Sequence, residues 1–252
     1  MSPSEKKRAD ADRRAQARAR AEQMRLDAER RARRQRTLVV AITAAVVVAL
    51  VVGVGVVVQR SRSQAAQDAQ GPAGLTERGG LVLGDDDAPV TVTTYLDFMC
   101  PACEQFETEN AALLDELRGE GTVRVEYVPI AILDRFSSGT RYSTRSAGAA
   151  YCVAESDPDL VPLFVSALYE NQPAEGSTGL PQEQLEQIAG VIGVSDEGRA
   201  CITDGTYEGY AANVTDQASQ DGVQGTPTVL VDGTFLDDLS KQGLVDMINA
   251  KN

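Results

Sequence analysis

The longest hydrophobic segment of the chain runs from Thr37 to Val58, where 22 successive residues carry no charge. As an α-helix this segment would be roughly 33 Å long, enough to cross a bilayer core of roughly 30 Å. A buried helix of a soluble domain is seldom apolar on every face over such a length. The pattern therefore predicts a single transmembrane helix over residues 37–58.

Beyond residue 74, apolar positions recur with the spacings of short strands and helices. The predicted strands cover residues 80–84, 90–98 and 123–128, followed far downstream by a hairpin around an Asp-Gly turn at 228–235. Helical spacing covers residues 104–118, a long block from about 137 to 220, and a closing amphipathic segment at roughly 239–250. This order predicts an α/β fold, in which a helical insertion separates a βαβ unit from a ββα unit.

Charge is distributed unevenly along the chain. Residues 1–36 hold thirteen of its 24 Lys and Arg and six of its 37 Asp and Glu, a net charge of +7, which leaves −20 for the remainder. Five arginines lie from Arg30 to Arg36, whereas Arg60 and Arg62 alone follow the apolar segment closely. The positive-inside rule then predicts a cytoplasmic basic arm and an extracytoplasmic body.

Residues 59–74 are rich in Ser, Gln, Ala and Gly and are predicted to be a flexible linker to a folded domain over 75–252. The small residues from Ser61 to Ala66 leave a cleaved signal peptide as an alternative, although the charged arm and apolar segment are long for one. Basic arms can bind nucleic acid, but beside a membrane span attraction to anionic lipid is the simpler explanation. No nucleic-acid partner is expected.

The chain has four cysteines and no histidine. Cys100 and Cys103 enclose Pro101 and Ala102 where a predicted strand gives way to a helix, and positions i and i+3 of a helical turn lie on the same side. Unpaired N–H groups and the positive dipole end at a helix start favour a thiolate at Cys100. Pro101 suits the first helical turn. The pattern predicts a redox-active pair in which Cys100 attacks and Cys103 resolves.

The other two cysteines help to exclude a metal site. A Cys₄ zinc site would need a second CxxC knuckle, but Cys152 and Cys201 lie 49 residues apart, so no metal is expected. A purely structural disulfide between Cys100 and Cys103 would gain little from so small a loop. A Cys152–Cys201 bond between two helices of the insertion would gain about 4 kcal/mol. We expect that structural disulfide, with a second, shuttling redox pair as the alternative.

Two acidic residues lie near the cysteine pair in this pattern. Asp97 precedes Cys100 by three residues, and Glu126 is in the next predicted strand. We expect both to be solvated carboxylates at strand ends rather than proton relays, and neither is assigned a catalytic role.

The segment Tyr95–Cys103 (YLDFMCPAC), the helical insertion and Thr226-Pro227 before the hairpin together resemble the DsbA-like thioredoxin-fold oxidoreductases of bacterial envelopes. The membrane-tethered forms of Gram-positive and actinobacterial cells are the most similar. The resemblance covers roughly residues 75–252 and implies a thioredoxin-like fold. It also implies a cis peptide between Thr226 and Pro227 beside the sulfurs, where the backbone would bind an extended substrate polypeptide.

The reaction that this resemblance implies is disulfide exchange through a mixed disulfide on Cys100, without a cofactor. The expected partners are reduced or misoxidised exported proteins and a membrane-bound re-oxidase or reductant. Strong oxidants of the family carry a histidine between the cysteines, and Ala102 cannot stabilise a thiolate in that way, so a less oxidising potential is expected.

Disulfide formation is the leading hypothesis for the function. A reductase or isomerase of the same fold and a redox-inactive binding module are the alternatives. Because no segment of the chain is spare for a dimerisation domain, a monomer is expected.

Overall fold

The structure is a computed structural model that describes residues 70–251. The predicted basic arm and transmembrane helix, with residues 59–69 of the predicted linker, lie outside this range. Within residues 70–251, no helix is both long enough and apolar enough to cross a membrane. Residues 70–79 contain two short turns, at 73–74 and 77–78. Gly71 lies so close to Tyr210 that a Cβ atom there would be 2.5 Å from its ring.

Five strands form one mixed sheet in the order β1-β3-β2-β4-β5. They are β1 (Leu81–Leu83), β2 (Val90–Leu96), β3 (Val123–Pro129), β4 (Thr228–Val231) and β5 (Thr234–Phe235). Strands β2 and β3 pair in parallel, and the other pairings are antiparallel. A parallel pair needs a crossover connection, which helix α1 (Pro101–Gly119) supplies. The predicted βαβ unit is thus confirmed.

Helix α1 begins at Pro101, three residues before the helical spacing that starts at Glu104, which confirms the predicted place of Pro101 in the first helical turn. Proline is tolerated in the first turn because its missing N–H would have no partner there. Cys100 is the N-cap residue, with an extended backbone at φ −83° and ψ 116°. The start of the helix therefore holds Cys100 just outside the helical turn and Cys103 within it.

Five helices separate β3 from the returning strand β4, which confirms the predicted helical insertion. They are α2 (Tyr142–Ser156), α3 (Val161–Glu170), α4 (Gln182–Val191), α5 (Asp196–Asp204) and α6 (Glu208–Gln220), with short 3-10 turns at Asp134–Phe136 and Pro158–Leu160. A disulfide joins Cys152 on α2 to Cys201 on α5, the pairing expected from the sequence. Tyr151, Phe164 and Leu168 are fully buried in the core between these helices and the sheet.

The last two strands form the predicted hairpin. Asp232 and Gly233 both have positive φ angles, 47° and 74°, as a two-residue type I′ turn requires. The carboxylate of Asp232 accepts a hydrogen bond from the N–H of Thr91 at 2.8 Å, which ties the turn to β2. Helix α7 (Lys241–Lys251) closes the domain and buries Leu244 and Ile248.

Candidate active site

The two free cysteines of the described chain lie at the junction of β2 and α1. The side of the junction that carries Pro101 and Ala102 is exposed, whereas Cys100 is 7% and Cys103 2% exposed. Cys103 is the more buried of the two, as predicted. An incoming sulfur therefore reaches Cys100 more easily than Cys103, in agreement with the roles that the sequence predicts for them.

The predicted substrate segment lies against this pair. The Thr226–Pro227 peptide is cis, as the family resemblance implies. The sulfur of Cys100 lies 3.2 Å from the carbonyl oxygen of Thr226, to which Cys100 donates a hydrogen bond when it is protonated. Thr226 and Pro227 are both partly exposed. The fold thus brings the sequence-predicted segments Cys100–Cys103 and Thr226–Pro227 together in one place.

The surroundings of Cys100 favour its thiolate. Its pKa is lowered to about 6, first because the thiol of Cys103 donates a hydrogen bond to its sulfur. The Thr226 side chain and the backbone N–H groups of Cys103 and Ala102 lower the pKa further, while partial burial acts against them. These N–H groups belong to the first turn of α1, which is the effect expected of a helix start.

Cys103 behaves in the opposite way. Burial raises its pKa well above the usual value, and both the hydrogen bond to Cys100 and the charge of the Cys100 thiolate raise it further. At neutral pH the pair therefore holds one proton, which stays on Cys103. The Cys100 sulfur is thus a stable thiolate and a good leaving group, and the Cys103 sulfur is a buried thiol.

The expectation of a solvated Asp97 is wrong, because this side chain is completely buried. One carboxylate oxygen accepts hydrogen bonds from the N–H of Met99 at 2.9 Å and the hydroxyl of Ser143 at 2.7 Å. The other accepts from the N–H of Leu133 at 2.9 Å. Burial raises the pKa of Asp97 to about 6 despite these bonds, and the Cys100 thiolate raises it slightly further.

The expectation of a solvated Glu126 is also wrong, since only 4% of this residue is exposed. Its carboxylate accepts hydrogen bonds from the hydroxyls of Thr76 at 2.6 Å and Thr93 at 2.5 Å. The turns before β1 cover this part of β3, and they bring Thr76 and Arg78 to the carboxylate. Glu126 is thus part of a buried polar cluster that holds the N-terminal turns to the sheet.

Three further residues near the pair were not singled out by the sequence. Glu107, one helical turn after Cys103, is buried, and its pKa is raised to about 7 by that burial. The i+4 spacing that puts it on the same face of α1 was visible in the sequence. Tyr169 and Gln172, from the end of α3, contact the loop before α1 across more than 70 positions of sequence. No local pattern predicts such contacts.

Comparison with known proteins gives a consistent picture. The sequence profile of a family described as Thioredoxin matches residues 76–250. The structure of the reduced disulfide bond oxidoreductase DsbG from Mycobacterium tuberculosis superposes with a TM-score of 0.62 at 32% sequence identity. That match covers 68% of this chain and 86% of DsbG.

Two curated sequences extend this comparison. Disulfide bond formation protein D of Bacillus subtilis is 29% identical over 164 residues, which are 61% of this chain and 68% of that protein. Serine/threonine-protein kinase PknE of Mycobacterium tuberculosis is 31% identical over 158 residues. The matched region is 60% of this chain but only 28% of the length of the kinase.

Proposed function

This chain belongs to the thioredoxin family and, within it, to the DsbA-like thiol–disulfide oxidoreductases, and from that premise we propose that it forms disulfides in exported proteins. The observation that carries the proposal is the state of Cys100. It is a free cysteine at a helix start, its pKa is lowered to about 6, and a buried free cysteine lies beside it. An ordinary structural cysteine has no use for a stabilised thiolate.

The reaction begins with the Cys100–Cys103 disulfide. A client thiolate attacks the Cys100 sulfur, a mixed disulfide forms, and Cys103 leaves and takes up a proton because its pKa is high. A second client thiolate then attacks the client sulfur of the mixed disulfide, and Cys100 leaves as its stable thiolate. The client loses two electrons and gains a disulfide, and the enzyme is left as the dithiol. A membrane-bound re-oxidase is the proposed acceptor of these electrons.

The acidity of Cys100 supports this direction of electron flow. A thiolate that is stabilised in the reduced enzyme makes the disulfide form a better oxidant. With a pKa of about 6, Cys100 is more acidic than the roughly 7 of thioredoxin but less so than the roughly 3.5 of the strongest oxidants. Ala102 has no imidazole to offer the thiolate, which is consistent with a Cys100 pKa above that of those strong oxidants.

The proposed function predicts a trappable intermediate. In Cys103→Ser the Cys100 thiolate can still attack a client disulfide, which releases one client sulfur as a thiolate and joins the other to Cys100. No second enzyme cysteine is present to resolve this mixed disulfide, so clients supplied with a disulfide should accumulate as covalent adducts that reductant releases. Cys100→Ser should form no adducts and should not accelerate the oxidation of a reduced client protein. If Cys100→Ser oxidised the client as fast as the unchanged chain, the redox-inactive binding module would be the correct alternative.

The alternative of a reductase or isomerase differs in potential rather than in chemistry. A Cys100–Cys103 potential near that of thioredoxin, about −270 mV, would favour the reductase, whereas a value closer to −120 mV would favour the oxidase. Equilibration of the full-length chain with glutathione buffers of known ratio measures this potential directly.

The location outside the cytoplasm is part of the same proposal. It is supported by the uncharged segment 37–58 and by the excess of arginine on its N-terminal side. The Cys152–Cys201 disulfide adds support, because structural disulfides persist in oxidising compartments. In this arrangement the membrane-anchored domain would meet client proteins as they emerge from export.

A further inference from the structure

The side-chain amide of Gln172 lies against the loop that carries the reactive cysteine. Its Nε2 atom donates to the carbonyl oxygen of Cys100 at 3.0 Å and to that of Phe98 at 3.2 Å. The loop between β2 and α1 has no neighbouring strand to pair with these carbonyls. The Cys100 carbonyl also accepts the first N–H groups of α1, from Cys103 at 3.1 Å and Glu104 at 3.2 Å. Gln172 therefore contacts the point at which helix α1 begins.

Gln172 is itself held by the end of helix α3. Its backbone N–H donates to the carbonyl of Tyr169 at 3.0 Å. The ring of Tyr169 packs on that of Phe98 with centroids 5.5 Å apart, and its hydroxyl donates to the backbone carbonyl of Asp97 at 3.4 Å. One end of α3 thus contacts residues 97, 98 and 100. The inserted helices therefore contact the loop that carries the reactive cysteine directly.

The chemistry of these contacts requires a primary amide at position 172. One nitrogen donates to two carbonyls, and of the side chains of this length only glutamine carries two N–H bonds on a terminal planar nitrogen. Methionine has a similar shape but no donor. Glutamate has the same shape, but its ionised carboxylate would face two carbonyl oxygens and repel them.

We propose that Gln172 is a positioning residue through which the helical insertion fixes the orientation of the Cys100 peptide and thereby sets the reactivity of its sulfur. The inference rests on the proposed function, because it concerns the same reactive cysteine. The N–H groups of Ala102 and Cys103 stabilise the thiolate only while the peptide at Cys100 holds the sulfur above them. An amide donor on the Cys100 carbonyl keeps that peptide in place, and it also reduces the negative charge on the oxygen near the sulfur.

The test is the rate of Cys100 alkylation by iodoacetamide in the reduced full-length chain between pH 4 and pH 9. In Gln172→Met the midpoint of the pH profile should rise by about one unit, which slows alkylation at pH 6 about fivefold. Gln172→Glu should raise it at least as far, because a carboxylate near the loop opposes a second negative charge. The glutamate variant also serves if the methionine variant does not fold.

The matched control is Gln182→Met. Gln182 is in the same insertion and donates its amide to the carbonyl of Ile202, away from the cysteine loop. This variant should lose thermal stability and keep the wild-type alkylation profile. If Gln172→Met also lost stability but kept that profile, the residue would be merely structural and the proposal would be wrong. Alkylation needs no client protein, so the result is independent of whether the chain oxidises one.

Discussion

The thiols of Cys100 and Cys103 are three positions apart, yet the pKa of the first is lowered and that of the second is raised. The cause is local. Cys100 at the N-cap faces donors from the first turn of α1, whereas Cys103 is inside the turn and almost fully buried beside the Cys100 thiolate. The sequence alone predicts this polarity, because a helix start and the position of Pro101 decide it. The sequence does not predict the acid that lies beneath the pair.

Asp97 is hidden by residues that only the tertiary structure brings to it. Its donors Leu133 and Ser143 belong to the loop after β3 and to α2, more than 30 residues further along the chain. A strand-end aspartate without such partners would be solvated. The sequence pattern around Asp97 shows only the strand end, so it wrongly predicts a solvated carboxylate. The pKa of about 6 places its charge change in the same pH range as that of Cys100.

Replacement of Asp97 by asparagine should make Cys100 more acidic. At pH values above about 6, Asp97 is ionised, and its negative charge disfavours ionisation of the Cys100 thiol. The effect is mutual, since the Cys100 thiolate raises the pKa of Asp97. Asparagine stays neutral at every pH, so the opposing charge is lost and the Cys100 pKa should fall by roughly half a unit. The thiolate absorbance at 240 nm, recorded against pH, measures this shift.

The control for this change is Glu126→Gln, which replaces another buried acid by its amide. Glu126 is bonded to Thr76 and Thr93 and does not contact the cysteines, so the Cys100 titration should not move. An upward shift in Asp97→Asn would show that the carboxylate supports the thiolate by holding the loop rather than opposing it by charge.

At the scale of elements, the hydrophobic pattern predicts the central strands because all but one residue of β2 and of β3 is buried, and most of these are apolar or β-branched. Apolar spacing alone places the start of α1 at Glu104, because Pro101, Ala102 and Cys103 show no helical period of their own, whereas the Cys-Pro pattern places the helix start at Cys100. The cap geometry at Cys100 decides that boundary. The contact of Gln172 with the cysteine loop depends on how α3 packs, and the sequence contains no signal of that packing.

The Cys152–Cys201 bond should stabilise the domain without taking part in exchange. It links α2 to α5 across a sequence separation of 49 residues. Its loss in the double variant Cys152→Ala/Cys201→Ala therefore raises the conformational entropy of the unfolded chain. The free energy of unfolding should fall by about 4 kcal/mol in the chain-entropy model, measured by urea denaturation. The Cys100 alkylation rate should not change. Unchanged stability together with loss of client oxidation would instead identify a shuttling redox pair.

At the scale of the whole molecule, the chain has parts of very different composition. The acidic body contains the thioredoxin-like domain, and the net charge of +7 lies in the first 36 residues. The resemblance to DsbA-like proteins concerns the body alone, since the matching profile begins at residue 76. The proposed membrane anchor is supported by hydrophobicity and charge alone, which depend on composition rather than on packing.

The proposed topology predicts where the C-terminus lies. A phosphatase reporter that is active only outside the cytoplasm, fused after Asn252, should be active and should sediment with membranes. As a helix, the apolar segment 37–58 would be long enough to span the bilayer, and the positive-inside rule predicts that the arginines from Arg30 to Arg36 keep its N-terminal side in the cytoplasm. Deletion of residues 37–58 should abolish reporter activity, and it is the matched control. Activity in the soluble extracellular fraction would indicate a cleaved signal peptide, and an inactive fusion that is stably expressed would contradict the extracytoplasmic location.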